Sequence, residues 1–263
     1  NPRLVTQIPV EANPRSIQIV GRYLFVGYHT GTWVDIYDIG NPWNVPSRVS
    51  RIVTTGNSIK HFLILGRYIY IVCGSGALEK WDISQMPEVF RVASVASSIV
   101  TPLAIAHYNK VIVMVGNTSN VVELYNADTL ALYSATALGV STHSDGIAIA
   151  GGYAFINDYQ NGINVIDIKN PSTPTLVTTV ATKINMSNEM VVVGEKLYVC
   201  ELGGLTVPSY LCMLDISNPS SPYLAKSVLS YNRGTGFLVC VDKYIYTSGH
   251  YAPYTIDVYE LPE

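Results

Sequence analysis

A short phrase of the form Gly-x-Tyr-x-aromatic-Val recurs along the whole chain. Its six copies begin at Gly21, Gly66, Asn109, Gly151, Gly194 and Asp242. The third and sixth copies depart from the form, and successive copies are separated by 42 to 48 residues. A period of this length indicates a repeat architecture, in which each copy is one supersecondary unit that packs on its neighbours.

A second phrase, apolar-x-apolar-x-Asp-Ile, follows the first and is often closed by Asn-Pro. Its aspartates are Asp38, Asp82, Asp167 and Asp215. Asn126 and Glu260 stand at the matching positions of the third and sixth copies. We expect each aspartate carboxylate to accept backbone N–H bonds in an Asx-type turn. A catalytic carboxylate is not expected once per repeat, so this role is structural.

Each repeat divides into four short segments rich in β-branched and aromatic residues, separated by Gly, Asn, Pro and Ser. In the first repeat the segments are roughly 15–20, 23–28, 32–39 and 47–53. No stretch has helical periodicity over 12 residues. The pattern predicts an all-β, six-bladed β-propeller with four antiparallel strands per blade, forming a single domain over residues 1–263. The aromatic residues of the first phrase are expected in the core between blades: Phe25, Tyr70, Phe155, Tyr198 and Tyr246.

The two ends of the chain predict how the propeller closes. The sixth repeat stops where its fourth strand should begin, and the segment Asn1–Ile8 matches the interior phrase that starts at Asn170. We therefore expect a strand over about residues 3–10 to complete the sixth blade. This exchange would cover a sheet edge that is otherwise prone to aggregation.

The repeats also carry a family resemblance. The segment Ile163–Pro174 resembles the LVIVD repeat of bacterial and archaeal propellers, many of them cell-surface proteins, and Leu211–Pro222 shows the same likeness. The resemblance covers nearly the whole chain and weakens in the third and sixth repeats. It implies a propeller. It does not imply a reaction, because the repeat motif is scaffold and no catalytic residue belongs to it.

Composition excludes several function classes. Only 13% of residues are charged and the net charge is −3, so a broad electrostatic nucleic-acid binder is not expected. No run approaches the 18 or so apolar residues of a membrane helix. The start at Asn1 suggests a processed product or an excised domain. The low charge and the Tyr-rich loops favour an extracellular, cell-envelope or virion-surface setting.

The four cysteines form no C-x-x-C pair, and each sits in an apolar run. We expect buried free thiols. Cys200 and Cys212 flank one hairpin, so a disulfide between them is the alternative. No clustered ligands predict a zinc site, and no cofactor is expected.

Alignment of the repeats on the glycine predicts polar residues at one mouth of the central channel. They are Arg15, Lys60, His61, His143, Asp145, Asn188, Glu189 and Arg233. Three interpretations stay open: a solvated mouth whose charges pair, a binding site for a ligand or partner, and a catalytic site. In the catalytic interpretation His61 acts as base, and Asp145 or Glu189 orients it.

The loops on the same face form the second candidate surface. Their aromatic and histidine residues are Tyr28, His29, Tyr159, Tyr210, His250, Tyr251 and Tyr254. Such residues build contact surfaces of low conformational entropy, although Asn and Gly in these loops also simply make turns.

The sequence thus favours a non-enzymatic recognition module that binds a protein or glycan partner through its loop-rich face. One alternative is a small-molecule hydrolase or lyase with its site at the channel mouth. Another is a structural or oligomerisation domain of a larger protein. The oligomeric state stays open.

Overall fold

The structure is a computed structural model. It describes residues 7–41, 43–143, 146–158, 161–183, 187–201, 203, 208–230, 235–249 and 256–261. Within these ranges, the side chains of residues 117–120, 138–143, 187–188, 235–237 and 248–249 are left out of the description.

The described residues form antiparallel sheets whose strands follow one another in chain order. The first three sheets contain β1 (Pro14–Val20), β2 (Tyr23–Tyr28), β3 (Trp33–Asp38) and β4 (Ser47–Val53); β5 (Ile59–Leu65), β6 (Tyr68–Cys73), β7 (Ala77–Gln85) and β8 (Glu88–Ala96); and β9 (Pro102–Tyr108), β10 (Val111–Asn126) and β11 (Leu132–His143).

The other three sheets have the same order. They contain β12 (Ile147–Ala150), β13 (Tyr153–Asp158), β14 (Gly162–Asp167) and β15 (Thr175–Val180); β16 (Ser187–Val193), β17 (Lys196–Glu201), β18 (Ser209–Asp215) and β19 (Tyr223–Ser230); and β20 (Thr235–Val241), β21 (Tyr244–Gly249) and β22 (Ile256–Glu260).

These sheets are the blades of a six-bladed β-propeller, which confirms the fold class predicted from the repeats. Four blades have the predicted four strands. In the third blade the predicted second and third strands form the single long strand β10. In the sixth blade the described residues supply three strands.

The chain divides into two compact units. The first unit comprises residues 1–105 and 126–131, and the second comprises residues 106–125 and 132–263. The first two blades lie in the first unit, the last three lie in the second, and the third is divided.

Burial differs between the inner and outer strands of a blade. Consecutive residues of β2, β3, β13 and β14 are buried. In the first blade, one face packs on the second sheet and the other packs on residues 7–12. The outer strands β8 and β15 are largely exposed.

The repeated aromatic residues belong to the apolar cores. Phe25 packs with Ile36 and Phe62 in the first unit, and Phe155 packs with Leu197 in the second. Tyr70 and Tyr198 are also buried, and Tyr246 is half-buried.

The repeated glycine is explained by the turn between the first two strands of a blade. Gly21, Gly66 and Gly194 have φ angles of 57–58°, in the left-handed region that favours glycine. Asn109 and Asp242 adopt φ angles of 53° and 51° in the third and sixth blades. Asn and Asp tolerate this region better than other residues with a side chain, so the irregular copies keep the same turn.

Gly66 provides a test of this backbone requirement. A Cβ placed there meets no atom within 4 Å, so any effect of substitution comes from the φ angle. We expect Gly66→Val to lower the free energy of unfolding by about 1–2 kcal/mol, and Gly66→Asn to lower it by much less. Urea unfolding of the two variants measures the difference. Equal losses in both variants would show that the left-handed turn does not select the residue.

Residues 7–12 lie against the first blade. Ile8 and Ala12 pack on the cluster that contains Tyr28, and Glu11 accepts hydrogen bonds from Arg48 at 2.7 Å and Arg51 at 2.8 Å. Residues 7–10 are not in a strand, and residues 1–6 lie outside the described residues. The closing strand over residues 3–10 therefore stays a prediction.

Among the described residues, strand β22 pairs with β21 along one edge, and no described strand pairs with its other edge. Its residues Ile256 and Val258 are exposed. A groove of about 190 Å³ lies beside it, lined by apolar side chains that include Leu211, Val228 and Leu261. An unpaired edge with exposed apolar residues is a site for strand addition or aggregation.

Deletion of residues 1–6 tests the predicted closure. We expect the truncated protein to melt at a lower temperature and to aggregate, because the β22 edge stays open. Thermal unfolding and light scattering measure both effects. A synthetic peptide of residues 1–10 should raise the melting temperature of the truncated protein, and a scrambled peptide should not. A truncated protein that melts like the intact one and stays dispersed would exclude this closure.

All four cysteines are free, so the alternative of a disulfide between Cys200 and Cys212 is wrong. Three are buried, and Cys240 is half-buried. The Cys212 thiol donates to Glu201 Oε2 at 3.0 Å. Burial and the neighbouring Glu201 carboxylate raise the pKa of Cys212, which keeps the thiol protonated.

Candidate functional site

The four repeated aspartates each cap a turn after the third strand of their blade. Each carboxylate accepts a hydrogen bond from the backbone N–H two residues later, at 2.8–3.0 Å. Each of them also has a basic partner: Arg22 pairs with Asp38, Arg67 with Asp82 and Lys196 with Asp215, and Lys169 Nζ lies 3.8 Å from Asp167 Oδ2.

These contacts lower the pKa of Asp38, Asp82 and Asp215, and the basic partner makes the largest contribution in each case.

Each blade has two ends. We call one the turn end, which carries the repeated aspartates and the glycine turn. The opposite end, with the loop between second and third strands and the linker to the next blade, is called the loop end.

A second acidic position lies inside each blade, and sequence reasoning missed it. One carboxylate per blade stands near the loop end of the second or third strand. These carboxylates belong to Asp35, Glu79, Glu123, Asp158, Glu201 and Asp257. The first five are at most 1% exposed, and Asp257 is half-buried.

In four blades the acid lies on the third strand and bonds an aromatic polar group. Trp81 Nε1 donates to Glu79 at 2.8 Å, Tyr125 OH to Glu123 at 2.5 Å and Tyr259 OH to Asp257 at 3.1 Å. In the first blade the donor is Tyr28 OH, which bonds Asp35 at 3.0 Å and lies 3.3 Å from the hydroxyl oxygen of Tyr37. The spacing acid-x-aromatic before the turn residue is the sequence signal for this arrangement.

In the fourth and fifth blades the acid lies instead at the end of the second strand. Asp158 accepts from Asn164 at 3.3 Å, and Glu201 accepts from Cys212 at 3.0 Å. Asn164 and Cys212 occupy the third-strand position that holds the acid elsewhere. The aromatic position two residues later is aliphatic in both blades, Ile166 and Leu214, because no acid beside it needs a donor.

Several buried acids also hold the segment that enters their blade. Thr55 donates to Glu79 through both N–H, at 2.8 Å, and hydroxyl, at 2.6 Å. The Thr182 hydroxyl donates to Glu201, and the Ser230 hydroxyl donates to Asp257 at 2.8 Å. These carboxylates are therefore scaffold groups, because Glu79 and Glu201 fix the linker before their blade and Asp257 bonds the last residue of β19.

Substitution of Thr182 tests how much its hydrogen bond to Glu201 stabilises the protein. We expect Thr182→Val to lower the free energy of unfolding by about 1–3 kcal/mol, because the Glu201 carboxylate loses a buried donor. Thr182→Ser should restore most of the loss. Thr175→Val is the matched control, since Thr175 is exposed on β15 and its change should stay within about 0.5 kcal/mol. Denaturant unfolding measures all three, and equal effects of the two valine variants would contradict the role of the hydroxyl.

The loop end of the first unit holds a group of basic side chains: Arg15, His29, Lys60 and His61, called the basic cluster. Arg15 and Lys60 fall at register shifts in β1 and β5, between Pro14 and Ser16 and between Ile59 and His61. A shift of this kind is a β-bulge, which redirects a side chain out of the regular alternation of the strand.

Arg15, on β1, contacts Lys60 on β5 and His29, which follows β2. Its Nε donates to the backbone oxygen of Lys60 at 3.2 Å, and its Nη1 lies 3.0 Å from His29 Nδ1. Arginine has no acceptor, so Nδ1 of His29 accepts, and the neutral ring carries its proton on Nε2. The His29 side chain is exposed.

Burial and nearby positive charges lower the pKa values of both histidines. Partial burial, Arg15 and Lys60 lower the pKa of His29. Burial, followed by Arg15, lowers the pKa of His61 to about 4. His61 Nδ1 has no hydrogen-bond partner among the described residues. Both rings are therefore neutral at pH 7, and the charge of the basic cluster comes from Arg15 and Lys60.

The structure places the other predicted mouth residues as follows. Glu189, in the second unit, accepts from the backbone N–H of Leu238 at 2.9 Å and so ties β16 to β20. Only the backbone is described for His143, at the end of β11, and for Asn188, in β16. Asp145 and Arg233 lie outside the described residues.

The predicted loop surface is only partly described. Tyr28 is fully buried, so it does not offer the exposed contact surface expected of it. Tyr210 is half-buried on β18, with Lys183 Nζ 5.8 Å from its ring centre. The remaining predicted residues lie outside the described part of the chain: Tyr159, His250, Tyr251 and Tyr254.

Three or more His, Cys, Asp or Glu side chains arranged to hold a metal ion are not found in the described ranges. The same ranges contain no helix long and apolar enough to cross a membrane.

Comparison with known families identifies the repeats. The family model of the LVIVD repeat matches residues 142–182 and 187–230. These two segments are LVIVD repeats. They include the fourth and fifth blades, the two in which the buried acid stands on the second strand. The six-bladed fold is consistent with the LVIVD-repeat propeller family. No curated protein matches the sequence.

Several solved structures similar to this chain have the same fold. A functionally unknown protein from Desulfotomaculum acetoxidans DSM 771 is 15% identical over 96% of this chain and 84% of its own, with a TM-score of 0.78. The β-propeller domain of Cps50 (Swd1) from Myceliophteria thermophila is 12% identical over 95% and 83%, with a TM-score of 0.74. A chain of the mitotic checkpoint complex is 11% identical over 95% and 75%, with a TM-score of 0.77. At these identities the likeness establishes the fold alone.

Proposed function

We propose that this protein is a non-enzymatic recognition module, which binds a protein or glycan partner through the loop end of its blades. The observation that carries the proposal is the basic cluster. It joins Arg15 and Lys60 to the exposed ring of His29 at the loop end of the first unit.

The distribution of acids supports binding over catalysis. The acid inside each blade bonds scaffold donors, and the repeated aspartates cap turns. A histidine base needs a group that orients its ring. Among the described residues neither His29 nor His61 has a carboxylate hydrogen-bond partner.

Other residues at the same loop end suit a contact surface. Val100, in the linker between β8 and β9, is 83% exposed. Thr30 and Asn57 are also exposed in the first unit. These three side chains are therefore accessible to a partner that approaches the loop end.

A binding screen on the intact chain tests the proposed function. We expect hits on a glycan array or a protein array, and we expect His29→Ala to weaken them at least tenfold. The matched control is Trp43→Ala, because Trp43 is 68% exposed in the turn-end loop after β3. That variant should bind like the original protein.

Two results would contradict the proposal. Loss of binding in Trp43→Ala with retention in His29→Ala would assign recognition to the turn end. Turnover of a small ester or lactone that requires His61 would favour the hydrolase alternative.

A further inference from the structure

Ion pairs hold the segment that enters the first blade. The Glu11 carboxylate accepts from Arg48 Nη1 at 2.7 Å through Oε1 and from Arg51 Nη2 at 2.8 Å through Oε2. Arg51 also donates to the buried Asp35 carboxylate, at 2.6 Å from Nε and 2.9 Å from Nη2. Arg51 therefore connects the entering segment to the acid inside the blade. We call residues 7–12 the strap, and the contact of Glu11 with the two arginines the clasp.

This connection differs from the one in the fifth blade. There a hydroxyl in the linker bonds the buried acid directly, from Thr182 to Glu201. In the first blade the linker contributes an acid instead, and an arginine of the fourth strand stands between two carboxylates. The Asp35 carboxylate would keep its bonds from Tyr28 and Arg51 if the strap left. Detachment of the strap therefore leaves no buried acid without a donor.

The clasp is open to solvent. The exposed fraction of the side chain is 55% for Glu11, 40% for Arg48 and 27% for Arg51. Ion pairs at such positions contribute little to stability, and salt screens them. The strap also packs on the blade through Ile8 and Ala12, which are only half-buried. Segments held in this way are the parts of a fold that open locally.

An unpaired donor lies in the cluster on which the strap packs. Trp33 packs on the same apolar cluster as Ile8 and Ala12. The centre of its ring lies 4.7 Å from Arg51 Cζ and 5.7 Å from the centre of the Tyr28 ring. Its buried Nε1 has no hydrogen-bond partner in the part of the chain that the structure describes. A buried donor without a partner costs free energy, which access to water recovers. This cost favours a state in which the strap has left.

We propose that residues 7–12 are a releasable strap: salt opens the clasp at Glu11, and the strap leaves the first blade while the blade stays folded. Release gives the Trp33 N–H access to water and frees Arg48 from its ion pair with Glu11. The strap therefore controls whether this part of the first blade is covered or accessible. The inference is independent of the proposed function, because it involves neither the basic cluster nor a ligand.

Proteolysis after Glu11 tests the proposal on the intact chain. Endoproteinase Glu-C cleaves after glutamate, and it reaches the bond between Glu11 and Ala12 when the strap is detached. Cleavage after Glu79, which is buried in β7, reports unfolding of a whole blade instead. Mass spectrometry of the fragments measures both initial rates in NaCl at about 20 mM and about 0.5 M. A synthetic peptide of the strap sequence, cleaved in the same buffers, corrects for the effect of salt on the protease.

We expect the higher salt concentration to raise cleavage after Glu11 at least about threefold and to leave cleavage after Glu79 unchanged, because salt screens the exposed clasp. At low salt, Arg48→Gln should raise cleavage after Glu11 about two- to fivefold, as expected for the loss of one exposed ion pair. The difference between this variant and the original protein should shrink at high salt. Arg91→Gln is the matched control, since Arg91 is exposed on β8 in the same unit. It should be cleaved like the original protein.

Three results would overturn the proposal. Cleavage after Glu11 that neither salt nor Arg48→Gln accelerates would show that the clasp does not hold the strap. Equal acceleration after Glu11 and after Glu79 would show that the blade unfolds as a whole. Equal acceleration by Arg48→Gln and Arg91→Gln would assign the effect to general charge. Selective acceleration after Glu11 supports the strap, whatever the binding arrays show.

Discussion

The interaction on which the second and fifth blades depend is a buried carboxylate that is bonded both by its own sheet and by the preceding linker. Burial of an ionised acid is costly unless donors surround it. Glu79 meets this condition with Trp81 and with both donors of Thr55, and Glu201 meets it with Thr182 and Cys212. The same bonds fix where the chain enters the blade. The loops at that end, and the side chains they present, are positioned by this contact.

Much of the fold could be predicted from the sequence, because each sequence repeat corresponds to one blade of the propeller. The left-handed turn required Gly66 and its equivalents, and this requirement made the repeats visible. The buried acid was harder to find, since it occupies two different strand positions. An alignment on the turn aspartates Asp38 and Asp167 places Asp35 beside Asn164, so the shared role of the acids emerges only from the hydrogen bonds. The merger of two strands into β10 likewise depends on tertiary pairing that no local pattern encodes.

Part of the candidate site could also be predicted. The alignment assigned Arg15, Lys60 and His61 to one end of the inner strands, and the structure brings them together with His29. Sequence could not show that Arg15 and Lys60 lie at β-bulges, because a bulge depends on the register of the paired strand. It also assigned Tyr28 to the surface, whereas its hydroxyl is needed inside the blade to satisfy Asp35.

The bond between a linker and the blade that follows it has a consequence for how such a chain can be copied or recombined. A segment that begins at β5 lacks Thr55, so Glu79 loses two of its donors and keeps Trp81. A segment that begins just before Thr55 keeps these donors together with their acid. The exchangeable unit at the second blade therefore begins in the linker before the sheet. Gene fusions or designed chimaeras that start there preserve the hydrogen bonds of Glu79.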